Sequence, residues 1–531
     1  MHNELVNTSF NISLFVAVFL LAVLGLIAFR KNATIGQFFL EDGQIKQKVP
    51  IIGTILATNL SLGNFIFVLP IFGYYGGASA LWLVLVVNIL APVGFLWGSG
   101  KFKAFIEDKG NSGTVHQFIA DNSNSNRSTT AYKIIRIAAS FATVSGLLMA
   151  LVLELHFTTL IFSTLLNTSG VLVFGALVVM ICIYTAAGGF RAVLATDLVQ
   201  SLAQIIGTLV LVGFLIWIAF YSDITMHFEW SRVEEIYGPP SSHLLAAGWP
   251  TIIGFSFIGF GWAMVGMDNW QRCCATRELD ISISSVIVGF LLVAILAVLW
   301  TSLGIIVRVC LEPATAQISD IFSITHANPV LNLFALSPET SVAGSIALGL
   351  LGTALVMAGA STADTFITVS SHSVISDIFV SSKGRDYGDL NSDESQMITW
   401  VARAIIMLVG ILSIVLWYFA NQFGLLVNAA DLFFVVYSVQ YALMAPIIYI
   451  ILSQKSLFPN ATTASIIISV AVSLYIGISG LFYISRGVDA AWFGLHPADM
   501  IALSPIACTM VGIAVISLLS LVSSSTSGSQ K

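Results

Sequence analysis

The stretch Ala358-Gly-Ala-Ser361-Thr362-Ala-Asp364-Thr365 sets hydroxyls and one carboxyl into surroundings that are otherwise apolar. On a helix, positions 358, 361 and 362 share one face at i, i+3 and i+4. Neighbouring hydroxyls on one face can ligate a hard cation, or they can bond back to carbonyls of their own helix. Asp364 adds a negative charge that would strengthen a cation site or hold a proton, and Asp197 is a second carboxyl in an apolar run. Asn59, Ser61, Gly63 and Asn64 interrupt another such run, where a weakened helix would leave carbonyls free to meet a cation. Two further pairs, Glu154 with His156 and Asn428 with Asp431, either line a solute cavity or bond between helices. Trp262 either stacks on a solute or packs on a helix surface.

The elements that must hold these groups follow from composition. Of 531 residues, 57% are hydrophobic and only 9% are charged, against about a quarter charged in soluble domains. The chain therefore needs lipid as solvent. Thirteen apolar runs are long enough to cross a hydrocarbon layer of about 30 Å. They fall near 13–29, 49–72, 80–99, 134–166, 170–187, 191–220, 247–268, 281–310, 341–378, 398–419, 422–452, 462–484 and 499–522. Backbone groups in lipid must be satisfied internally, so the runs are helices. A barrel would show shorter alternating segments. Met1 to Ile12 carry no Lys or Arg, so the first run reads as a retained helix and not a cleaved signal.

Basic residues set the expected orientation. With the N-terminus outside, eighteen of the 21 Lys and Arg face the cytoplasm, and only Arg232, Arg308 and Arg486 do not. The C-terminus is then cytoplasmic. The expected location is the plasma membrane, or the inner membrane in a bacterium. No basic tract suggests nucleic acid, and the five cysteines have no metal-ligand spacing. No soluble domain fits between the spans, and no nucleophile–base pair points to an enzyme.

Two runs look broken, five helices apart. One holds Asn59, Ser61, Gly63 and Asn64; the other holds Gly259 and Gly261. Broken helices at matching places in two halves point to an inverted-repeat transporter with a midplane site. The competing reading is that the glycines only allow close helix packing.

The segment from Tyr184 and Thr185 through Gly188-Gly189 and Arg191 to Thr196-Asp197-Leu-Val-Gln200 resembles the signature of the sodium/solute symporter family. Asp268-Asn269-Trp270-Gln271-Arg272 and Ala358 to Thr365, followed by Ser376-Asp377, resemble two more of its motifs in the same order. The resemblance runs over about residues 10–455. It implies an all-α polytopic membrane protein: a LeuT-like five-plus-five inverted repeat, one extra N-terminal helix and two C-terminal helices. The expected division of this single transport domain is 8–30, 46–220, 246–455 and 460–524. The resemblance also implies a main sodium site from the carbonyls of Ala57, Leu60 and Ala358 with the hydroxyls of Ser361 and Thr362. A second cation or proton site would use Asp197, Asp364 and Thr365, where Asp364 departs from a hydroxyl-only pattern.

As the resemblance counts the helices, the solute cavity is expected between core helices 1 (49–72), 3 (134–166), 6 (247–268), 8 (341–378) and 10 (422–452). Its candidate liners are Asn59, Ser61, Asn64, Trp262, Glu154, Asn428 and Asp431, with Tyr74 as a gate. Gly259 stands where sugar carriers place an asparagine, and residues 81–87 lack a glutamate, so a hexose is disfavoured. A small neutral, zwitterionic or cationic organic solute is expected, carried with sodium by a monomer. Coupling to protons, or solute sensing without transport, are the alternatives.

Overall fold

The computed structural model describes residues 2–29, 33–63, 68–108, 110–166, 170–221, 229–237, 248–311, 342–424, 426, 429–453, 456–488 and 494–528. All of the elements named here are helical. In chain order they are α1 His2–Ala28, α2 Ile35–Leu40, α3 Lys48–Asn59, α4 Leu69–Gly76, α5 Ala78–Glu107, α6 Val115–Asp121, α7 Thr130–Leu166, α8 Gly170–Gly188, α9 Phe190–Tyr221 and α10 Trp230–Tyr237. They continue as α11 Gly248–Val265, α12 Met267–Thr276, α13 Leu279–Leu311, α14 Val342–Ser373, α15 Ser392–Gln422, α16 Ala429–Gln440, α17 Met444–Leu452, α18 Pro459–Ser485 and α19 Pro497–Gly528.

Eleven helices among the described residues are long and apolar enough to span a bilayer. The thirteen expected runs resolve against these. The run at 49–72 is split into α3 and α4, of 12 and 8 residues, each too short to cross alone. The run at 170–187 is the shorter helix α8. Outward positions such as Phe15, Ile183, Leu209, Ile295 and Phe419 are exposed and apolar, as a lipid-facing surface requires.

The first break forms as its sequence suggested. The Asn59 side chain takes the carbonyl of Ile55 at 2.8 Å, a local bond that competes with helix continuation. Leu60 then leaves the helix at ψ 55°. The Gly63 N–H is taken by a Glu154 carboxylate oxygen at 3.0 Å. Glu154 thus ties core helix 3 to the break.

The second break lies elsewhere than Gly259 and Gly261. Helix α11 runs through both glycines and stops at Val265, where Gly266 turns extended at φ −65°, ψ 107°. A Cβ on Gly259 would collide with the backbone of Val87, and one on Gly261 with the Tyr441 ring. These two glycines serve close packing, the competing reading of that pattern.

A close backbone contact joins α4 to α13. A Cβ on Gly304 would fall on the Pro70 carbonyl, and one on Gly73 on the Thr301 carbonyl. Helices in lipid associate by van der Waals packing, so such close approach carries much of the contact energy. Gly304→Val is expected to cost about 1–3 kcal/mol or more through overpacking. Thermal melting in detergent measures this, with Gly213→Val as control because nothing lies within 4 Å of a Cβ there. Equal melting of the two variants would contradict the packing account.

Candidate functional site

Helix α3 ends inside the bundle, so its last carbonyls need donors from other helices. Helix α14 supplies them. Ser361 Oγ lies 2.8 Å from the Ala57 carbonyl and 2.9 Å from that of Ala358. Thr362 Oγ1 lies 3.1 Å from the Thr58 carbonyl and 3.2 Å from that of Ala358. Each hydroxyl has one proton and two acceptors in reach. When the proton turns to Ala358, the hydroxyl lone pairs face α3. Leu60 is the first residue beyond α3 and is buried. The oxygens of Ala57, Ala358, Ser361 and Thr362 that these bonds bring together are neutral and hard, which suits an alkali cation. Gln204 of α9 also reaches this place, with Nε2 3.0 Å from the Ala57 carbonyl and 3.3 Å from Ser361 Oγ.

The carboxylates lie one layer away. Asp197 accepts the Thr54 hydroxyl, so it ties α9 to core helix 1. Asp364 accepts Tyr184 Oη at 2.7 Å and Thr196 Oγ1 at 3.3 Å. It does not pair with His372, which lies two turns further along α14 and meets the Ser112 carbonyl at 2.8 Å. Thr365 Oγ1 lies 3.0 Å from Thr58 Oγ1. Asp197 and Asp364 are fully buried, and one oxygen of each has no hydrogen-bond partner among the described residues. Neither is paired there with a basic side chain.

The Trp270-Gln271-Arg272 motif has three separate roles. Trp270 packs among Phe102, Phe105 and Phe118, and its Nε1 donates to the Met264 carbonyl at 2.7 Å. Gln271 donates to the Phe39 carbonyl at 2.9 Å. Arg272 pairs with Asp268 and donates to the hydroxyls of Thr58, at 2.5 Å, and Thr54, at 3.3 Å. It thereby latches α12 to α3.

A narrow cleft, open to its surroundings, lies beside the end of α3. Its liners are Thr58, Asn59, Leu147, Trp262, Val265, Gly266, Asp268, Phe366, Tyr437, Gln440 and Tyr441, from core helices 1, 3, 6, 8 and 10. Asn59 and Trp262 are among them. The Trp262 ring stacks on Tyr437 with centroids 5.2 Å apart. Ser61 and Glu154 are buried but do not line this cavity. Asn64 and Asn428 lie outside the described residues, as does the side chain of Asp431. Tyr74 lies away from the cavity: its hydroxyl accepts from Arg308 at 2.8 Å and its carbonyl from the Tyr237 hydroxyl at 2.8 Å. Sequence reasoning missed Tyr437, Gln440 and Tyr441. Their i, i+3, i+4 stripe inside an apolar run was the available signal.

Missed as well was a buried ionic cluster below the site. Arg136 bonds Asp377 at 2.7 Å, Asp386 at 2.9 Å and Ser376 Oγ at 2.8 Å. His116 bridges Asp377 at 2.7 Å and Thr143 Oγ1 at 2.8 Å. Asp377 sits in a π-helical turn, Val374–Val380, that closes α14. Arg136 is one of the eighteen basic residues expected to face the cytoplasm, yet it is fully buried.

No curated protein sequence matches the chain. Among solved structures, a Na+-coupled sialic acid symporter in a substrate-bound outward-open state superposes with a TM-score of 0.70 at 17% identity, over 96% of this chain and 97% of that one. A manganese transporter of Eremococcus coleocola, in complex with an aromatic bis-isothiourea compound, superposes with a TM-score of 0.51 at 14% identity, over 88% and 94%. The fold is accordingly the LeuT-like arrangement of five plus five helices. The family model for the sodium:solute symporter family matches residues 38–467, most of the chain and its whole helical core through the start of α18. The chain belongs to the sodium:solute symporter family.

Proposed function

We propose that this chain carries a small organic solute into the cell by alternating access, driven by sodium bound between α3 and α14. The supporting observation is the double role of the last turn of α3. Thr58 offers its carbonyl to Thr362 and its hydroxyl to Arg272 and Thr365, and with Asn59 it lines the cavity. A sodium ion held by Ala57, Leu60, Ala358, Ser361 and Thr362 would fix the turn that also shapes the solute site. It must contact the inward and outward states differently, or it could not bias them. In this reading the N-terminus lies outside, as the asymmetry of the basic residues favours, and the protein acts as a monomer.

The solute is neutral, zwitterionic or cationic. The cavity offers four aromatic rings and two amides, and the carboxylate of its Asp268 is paired with the Arg272 guanidinium. The test is melting of the purified protein against a solute library in sodium and in potassium, followed by uptake into vesicles. Solutes that stabilise only in sodium support the proposal; equal stabilisation in potassium overturns it. Trp262→Ala is expected to weaken solute binding roughly five- to tenfold, the scale of one aromatic contact. Sodium stabilisation without solute should not change in that variant.

A second cation or a proton at Asp197, Asp364 and Thr365 is supported by the two carboxylates, which are buried without a basic partner. Charge at that depth is costly; Arg272, which bonds the same Thr54 hydroxyl, offsets part of it at Asp197. Uptake that persists without sodium and collapses with the pH gradient would assign the driving force to protons there.

A further inference from the structure

We infer that Gln204 is an additional ligand of the cation held between α3 and α14, and that it alternates with the cation by rotating its carboxamide. This rests on the sodium reading of that site and adds a residue outside the five-oxygen set. Gln204 lies two turns beyond Asp197 on α9 and is almost fully buried. Its Nε2 donates to the Ala57 carbonyl and to Ser361 Oγ, two of the five oxygens. A donor and a cation cannot both occupy the space in front of those oxygens.

The other end of the same amide is the second observation. Gln204 Oε1 is buried and has no hydrogen-bond partner among the described residues. An acceptor left so is destabilising. The last torsion of glutamine is soft and roughly two-fold, and its two ends are nearly equal in size. A half-turn exchanges them. With Nε2 inward, the amide holds the α3 carbonyl and the α14 hydroxyl as a donor. With Oε1 inward, it faces the cation as one more neutral oxygen and the unsatisfied acceptor finds its partner. The backbone beneath stays fixed, since Thr208 bonds the Gln204 carbonyl at 2.8 Å and Trp300 bonds Thr208 at 3.0 Å. Departure of the cation therefore leaves the carbonyl and hydroxyl bonded to Nε2. Because the amide is uncharged, the charge carried per cycle is unaltered.

The test is sodium titration of the melting temperature of the full-length protein, with potassium held complementary. Gln204→Leu removes both ends of the amide. Sodium half-saturation is expected to rise at least about tenfold, the scale of losing one ordering group at a metal. Gln204→Glu keeps an oxygen and drops the donor, and it should retain or tighten sodium binding. A sodium-minus-potassium infrared difference band from a glutamine side-chain carbonyl should appear in wild type and vanish in both variants. Tighter sodium binding by Gln204→Leu would make the amide a competitor only and overturn the ligand role, as would unchanged binding. If wild type itself shows no sodium response, the site assignment fails, and Gln204's role with it. A wild-type response left intact by Gln204→Leu removes Gln204 alone.

Discussion

Replacing Ser361 and Thr362 together by alanine is expected to abolish sodium-driven accumulation of solute while leaving the protein folded. The double variant removes two of five proposed oxygens and keeps the helix face apolar and close in shape. Two hydrogen bonds to the carbonyls of Ala57 and Thr58 are also lost, a cost of about 1 kcal/mol each. One charge moving through 100 mV supplies about 2.3 kcal/mol, which sustains a gradient of nearly 50-fold at about 1.4 kcal/mol per decade. That factor should fall to one in the double variant. Thr362→Ser, which restores an oxygen, should recover sodium-dependent melting when paired with native Ser361. Accumulation at the wild-type level in the double variant would move the driving ion elsewhere.

Arg136→Leu should produce the largest loss of stability. Arg136 is fully buried and bonds three groups at the end of α14. Removing one partner of a buried ion pair leaves the other charge uncompensated, at about 3–5 kcal/mol. Asp386 retains Arg127, so the deficit falls on Asp377, left with His116 and Thr114. A double-mutant cycle with Asp377→Leu measures this: the pair of changes should cost clearly less than the sum of the single changes. Detergent-extracted yield and melting are the readouts. Additive costs would mean that Arg136 and Asp377 act independently.

How much of this was legible beforehand differs by residue. Eleven of the thirteen expected spans follow from apolar length alone, and the break after Asn59 from polar side chains that compete for the backbone. The face formed by Ala358, Ser361 and Thr362 follows from helical periodicity. Its opposition to Ala57 required the resemblance, because periodicity says which residues share a face and not which face they meet. Gly259 and Gly261 misplaced the second break for the same reason. A glycine in a membrane helix marks either a break or a close neighbour, and only Val87 and Tyr441 decide between them. Tyr184 as the partner of Asp364 joins residues 180 positions apart, which nothing local announces. Arg136 was counted by its charge, and charge alone does not tell a loop from a buried cluster. Gln204 could have been seen: Asp197, Gln200 and Gln204 form a polar stripe at i, i+3 and i+7 on an apolar helix.

The glycine seam between α4 and α13 bears on how such a carrier could move. Gly73 and Gly304 leave no clearance against the facing backbones, so α4 has no play of its own. In the proposed alternating-access cycle, α4 would therefore move together with α13, and the pair would shift against the rest of the bundle about the break after Asn59.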